Sequence, residues 1–104
     1  MKTFGTIIAD ARKAVGMSQR ELAAQIKKED GETSISAQYL NDLEHDRRNP
    51  PSEALIVQMA ALLKLSKDRL CAAAGTLPED LRKLAATQPE KFEKAFVAFR
   101  KSVK

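Results

Sequence analysis

What most restricts the fold of this chain is its punctuation. Small hydroxyl side chains suited to open a helix recur at Thr3, Ser18, Ser36 and Ser66, and breakers follow at Gly16, Gly31, Pro50–Pro51 and Gly75. Such a hydroxyl accepts a hydrogen bond from an N–H that the first helical turn leaves unpaired, and glycine or proline then ends the run. Between these marks the chain is apolar every three or four residues, the helical period. Phe4, Ile7, Ile8, Ala11, Ala14 and Val15 share one stripe, with Asp10, Arg12 and Lys13 largely off it. "SQRE" adds a reciprocal capping box, Ser18 with Glu21, and opens a second helix at Gln19 that carries Leu22, Ala23 and Ile26 and runs to Lys28 or Glu29. A polar loop precedes Ile35 and Ser36, which open a third helix, "AQYLNDLEH". The fourth, "EALIVQMAALLKL", has the widest apolar face, through Leu55, Ile56, Met59, Leu62 and Leu63, and belongs at the centre of the packing. Ser66 opens a fifth, "KDRLCAAA", so five short helices are expected between residues 3 and 75.

Past Gly75, "TLPEDLRKLAATQP" reads as a short helix with Pro78 in its first turn and a break at Pro89. "EKFEKAFVAFRKSV" then places Phe92, Phe96, Phe99 and Val103 at spacings of four, three and four, an amphipathic face. That stripe could close over the core of its own subunit or form a seam between two copies; dimerisation is the favoured reading. The expected organisation is a five-helix domain over residues 1–76 and a C-terminal helical extension over 77–104.

Composition removes several classes of function. One cysteine excludes an internal disulfide and a cysteine-based zinc cluster, and Cys71, in "LCAAAG", reads as a small buried packing residue. The N-terminus lacks the apolar run of a signal peptide, and no stretch approaches the roughly 18 apolar residues of a membrane span, so a cytoplasmic protein without membrane contact is expected. With a single histidine, His45, no arguable carboxylate pair and no glycine-rich phosphate loop, neither an enzyme nor a cofactor nor a metal site is expected. The net charge of +4 is a mild tilt toward polyanions, yet residues 31–77 carry five basic and six acidic side chains. If that middle segment meets nucleic acid, it must use chosen contacts more than bulk charge.

The third helix carries such contacts. At roughly 100° per residue, Leu40 and Leu43 fall on one side while Gln38, Asn41, Asp42 and His45 fall opposite. Side chains that read a major groove must be polar, short enough to dock and free of core duty. Gln38 and Asn41 can each pair an acceptor and a donor with adenine, Asp42 can accept from a cytosine amino group, and Ala37 can touch a thymine methyl. The alternative is a solvated helix face, and His45 reads as exposed filler or a phosphate contact.

The order of these parts resembles the phage repressor and Cro-like, or XRE, helix-turn-helix family over roughly residues 4 to 75. "FG" in the first helix, "MSQRELA" opening the second, "YLNDLE" in the third and "RRNPP" leading into the fourth carry the resemblance. It implies an all-α, lambda-repressor-like domain that reads double-stranded DNA, with Ala37, Gln38 and Asp42 as usual base readers and Ser36, Tyr39 and Asn41 reading or bracing the backbone. It further implies a phosphate grip at Gln19, a second clamp at Arg47, Arg48 and Asn49, and a pair between Arg12 and Glu44 beneath the third helix. Glu44 lies only about 40° from Leu40 on the wheel, so it points inward and needs such a partner. One departure stands out: the turn "KKEDGETS" is about seven residues longer than the family's usual spacing, although loop closure costs grow only logarithmically with length.

The expected function is a sequence-specific transcriptional regulator, mostly a repressor, acting as a homodimer on an inverted-repeat operator. A restriction-modification controller, an antitoxin with a protein toxin partner, and an interaction module that has lost DNA binding remain alternatives on the same fold.

Overall fold

The computed structural model describes residues 2–104, in which seven α-helices follow one another: α1 Phe4–Ala14, α2 Gln19–Gln25, α3 Ala37–Glu44, α4 Glu53–Leu63, α5 Lys67–Ala73, α6 Glu79–Thr87 and α7 Pro89–Ser102. The chain is all-α. The caps read from the sequence are in place: Thr3 and Thr6, and Ser18 and Glu21, form reciprocal capping boxes, while Ser36 and Ser66 accept from the N–H groups of Tyr39 and Arg69. Each cap typically stabilises its helix by about 1 kcal/mol. Ser52 precedes α4 without a side-chain cap bond.

Helix α1 packs on α3 and α4, α2 on α3, and α4 on α5. One core joins them, built from Phe4, Ile8, Leu22, Ile26, Ile35, Leu40, Leu43, Ile56, Met59, Leu63 and their neighbours up to Leu70 and Cys71. Burial pushes the Cys71 thiol up, which keeps it protonated and inert. The C-terminal pair is different: α6 and α7 pack on each other and contribute no buried residue. Accordingly the radius of gyration is 15.4 Å, against about 13 Å for a compact domain of this length. Glu53 ties the two parts together. It accepts from the N–H of Glu79 at 2.9 Å, capping α6 where Pro78 cannot, and lies 3.4 Å from Arg82.

Several helix boundaries differ from the sequence reading. Helix α4 stops at Leu63, because Lys64 turns left-handed with φ 58°. Pro78 stands at the N-cap of α6 and not in its first turn, and the break before α7 falls at Gln88, leaving Pro89 as the first helical residue. The largest difference is at α2, which ends at Gln25 instead of Lys28 or Glu29. Ile26 is extended there, and its carbonyl accepts from the N–H of Ile35 at 3.0 Å. Lys27 forms an antiparallel bridge with Ser34, and the Gln58 amide engages both backbone groups of Lys27, at 2.7 and 2.8 Å. These tertiary bonds replace the ones a longer helix would make, and they bury Ile26 and Ile35 in the core.

The long turn is therefore a small pinned hairpin. At its tip the Asp30 carboxylate accepts from the Thr33 hydroxyl at 2.6 Å, the Thr33 N–H at 3.0 Å and the Glu32 N–H at 2.8 Å. These bonds, that from the Thr33 hydroxyl foremost, lower its pKa from 3.8 to about 2. A depressed folded value means the stabilisation is complete above the unfolded pKa and is lost as pH falls through the folded one. An NMR titration of Asp30 is expected to show a midpoint near 2, with the Glu32 and Thr33 amide signals shifting alongside; a midpoint at 3.8 would show the turn unformed.

Candidate nucleic-acid interface

Helix α3 lies across the start of α1 and the start of α2, and its inner side explains why it holds one angle. Arg12 is buried although the periodicity of α1 sets it off the apolar stripe. Its Nε and Nη2 donate to the two carboxylate oxygens of Glu44 at 2.7 and 3.0 Å, and its Nη1 donates to the Met17 carbonyl at 2.9 Å. The hydrogen bonding to Glu44 holds the Arg12 guanidinium above its ordinary pKa, outweighing the cost of burial. The two are 9% and 5% exposed. Gln19 Nε2 adds a third donor to the Glu44 carboxylate at 2.9 Å.

Just past the same end of α3, Asp46 turns left-handed with φ 57° and reaches back to α1. One carboxylate oxygen accepts from the Gly5 N–H at 3.0 Å and the other from the Thr3 hydroxyl at 2.6 Å. The approach is close because residue 5 is glycine: a Cβ there would lie 2.4 Å from the Leu43 carbonyl oxygen and 2.7 Å from that of Glu44. Sequence reading missed Asp46 and Gln58. Their partners lie 41 and 31 residues away, so no local pattern announces them.

The outer side of α3 holds the sequence-predicted readers. Gln38 is exposed, while Ala37, Tyr39, Asn41 and Asp42 are half-buried, and Ser36 caps the helix. Gln38 Nε2 donates to Asp42 at 3.0 Å. Arg47 and Arg48, in the exposed loop with Asn49, lie 3.4 and 3.8 Å from the same carboxylate. The Arg48 guanidinium also stands 5.3 Å from the centre of the Tyr39 ring, a cation–π distance. His45 Nδ1 is 2.8 Å from the Asn41 carbonyl oxygen and caps the end of α3.

Two residues are more committed than the sequence suggests. Gln19, expected to grip a phosphate, directs both amide hydrogens inward, to Glu44 and to Asn41 Oδ1 at 3.0 Å. Asn41 thereby loses its acceptor to α2 and keeps only its amide hydrogens for an outside partner. Of the residues predicted to read bases, Gln38 is the polar one with the most freedom left.

On α7, Phe92, Phe96 and Phe99 stack in series, with ring centres 5.0 and 6.5 Å apart. With Leu77, Leu81 and Leu84 they line an apolar groove of about 400 Å³ between α6 and α7. Phe99 is 60% and Val103 63% exposed. The stripe does not close over the five-helix core. Among the described residues no acidic, histidine or cysteine cluster could hold a metal, and no helix is long and apolar enough to cross a membrane.

Helices α2 and α3, joined by an ordered turn and tied by the Gln19 amide, with α3 anchored to α1 by a buried ion pair, make a helix-turn-helix domain. The sequence pattern of the helix-turn-helix family matches residues 8–70, and the chain belongs to that family, in its XRE-like branch. It is 31% identical over 85 residues to the uncharacterized HTH-type transcriptional regulator RghRB of Bacillus subtilis (strain 168), covering 79% of this chain. The match spans 56% of that regulator's length. The fold is also similar to a chain of the solved SinR protein/SinI protein complex, with 26% identity, a TM-score of 0.54 and 95% of each chain covered.

Proposed function

We propose that this protein is a sequence-specific DNA-binding transcriptional regulator, a repressor that acts in the cytoplasm as a homodimer on an inverted-repeat operator. The observation that carries the reading is the outer face of α3, where exposed Gln38 stands beside half-buried Ala37, Asn41 and Asp42, with two exposed arginines in the loop that follows. In this reading α3 enters the major groove, Gln38 pairs with adenine, and Ser36, Tyr39, Arg47, Arg48 and Asn49 hold the phosphates that set the register. Gln19 acts from behind, bracing Asn41. The likeness to a named transcriptional regulator supports the same conclusion.

Replacing Gln38 with Ala is expected to weaken the preferred site by about 1–3 kcal/mol while leaving random duplex nearly unchanged. Arg48→Ala is expected to weaken the preferred site as well and, unlike Gln38→Ala, to lower the salt slope there by about one unit. Electrophoretic or fluorescence titrations at several salt concentrations distinguish the two; equal effects of both variants on both duplexes would contradict the assignment.

Residues 77–104 are assigned to dimerisation through Phe92, Phe96, Phe99 and Val103, separate from the DNA-binding domain over 1–76. A two-fold axis through this seam would set two α3 helices in successive major grooves, about 34 Å apart. Phe99→Asp changes a side chain already 60% exposed, so it is expected to leave the fold intact and give a monomer by light scattering. An unchanged dimer would remove the seam. A second reading gives the α6–α7 groove to a different protein, a toxin among the candidates. It is favoured by the likeness, over both chains' near-full length, to a chain solved in a complex of two proteins. A wild type that is monomeric at high concentration would favour it.

A further inference from the structure

The Asp42 carboxylate sits where the outer face of α3 is most crowded with donors. Its side chain is 18% exposed, whereas those of Arg47 and Arg48 are 57% and 58% exposed. Oδ1 accepts from Gln38 Nε2 at 3.0 Å and from Arg47 Nη1 at 3.4 Å; Oδ2 lies 3.8 Å from Arg48 Nε. The Asp42 carbonyl also accepts from the Arg47 N–H at 2.8 Å, which brings the loop back to the helix. Tyr39 holds Arg48 from its other side. An ionised carboxylate only accepts, so it must face the Nε2 end of the Gln38 amide, leaving Oε1 and one N–H of that amide free.

We propose that Asp42 is a specificity-determining positioning residue: an internal stand-in for phosphate that occupies Arg47 and Arg48 on non-cognate DNA and orients Gln38 for its base. The inference rests on the DNA-binding reading above and deepens it. Exposed ion pairs at these distances are weak and exchange readily. On a cognate site, base contacts hold the duplex in register, and phosphates displace the carboxylate from both arginines. On random duplex no base contact fixes that register, so each arginine gives up a partner to gain an equivalent one. The carboxylate also repels phosphates directly, and a repulsive element of this kind raises specificity by penalising the wrong partner. Direct acceptance from a cytosine amino group is the competing role, and it leaves the arginines out of account.

The test compares wild type, the isosteric Asp42→Asn, Arg47→Ala/Arg48→Ala, and the triple variant. Each is titrated with random duplex and with a site selected by the wild type, across a range of salt. Asp42→Asn is expected to tighten random-duplex binding about three- to tenfold with a steeper salt slope, and to reduce the ratio of cognate to random affinity. In the double-arginine background that gain is expected to vanish, a non-additivity that reports coupling through the arginines. A gain that persists undiminished would make Asp42 a bulk charge and overturn the proposal. A loss confined to the cognate site would make it a base reader, with the same consequence. If the wild type itself binds no duplex in a salt-dependent way, the DNA-binding reading fails, and the proposal with it; that outcome is read from the wild type alone.

Discussion

A Glu44→Ala variant is expected to lose about 3–5 kcal/mol of stability, the cost of stranding a buried charge. Among the described residues Glu44 is the only acceptor for Arg12 Nε and Nη2, and its Oε1 also receives Gln19 Nε2. Removing it leaves the Arg12 guanidinium buried with the Met17 carbonyl as its remaining partner. The loss amounts to much of the stability of a small domain, and the thermal midpoint is expected to fall by about 15 °C or more. A matched double variant, Arg12→Met with Glu44→Leu, removes both charges together and is expected to recover most of the loss, because buried ion pairs are costly to break and cheap to replace by apolar volume. Urea titrations measure both. A double variant as unstable as the single one would mean that the pair contributes packing and not charge compensation. The pair also sets where α3 lies relative to α1 and α2, so loss of DNA reading should track loss of this pair even though neither residue faces outward.

Gly5→Ala is the second large effect. In an exposed helix interior this change stabilises by about 1 kcal/mol. Here the added Cβ would come within 2.4 and 2.7 Å of two backbone oxygens of α3, and backbone cannot swing aside as a side-chain tip can. Overpacking of this kind costs about 3 kcal/mol, so a net loss of about 2 kcal/mol is expected. The shift that relieves the clash also lengthens the bond from the Gly5 N–H to Asp46, which leaves a first-turn N–H of α1 poorly paired. Calorimetry on Gly5→Ala checks the sign: stabilisation would show that α1 and α3 do not approach as closely as described.

What could be read from the sequence, and what could not, follows the range of the interactions. Ser18 with Glu21, Ser36 with Tyr39 and Ser66 with Arg69 act over three residues, so the helix starts were legible. The end of α2 was not, because Gln58 on α4 takes the backbone groups of Lys27. The cap of α6 was hidden for the same reason, since Glu53 provides it from 26 residues away. The outward polarity of α3 was legible from its period alone. How far Gln19, Asn41 and Asp42 are already engaged depends on the angle between α2 and α3, which periodicity does not encode. The long turn departs from the family's usual spacing, and its geometry is fixed by a hairpin pinned to α4 and capped by Asp30, contacts that no local pattern announces.

The central claim is that α3 reads a DNA sequence as one half of a two-fold pair. Selection of bound duplexes from a random pool tests it most directly, since sequence, symmetry and spacing are returned together. The expected result is enrichment of an inverted repeat whose half-sites are centred about 34 Å apart, roughly one turn of duplex, with adenine at the position that Gln38→Ala relaxes. A pool that remains random after repeated rounds, or an enriched site unaffected by Gln38→Ala, would contradict it.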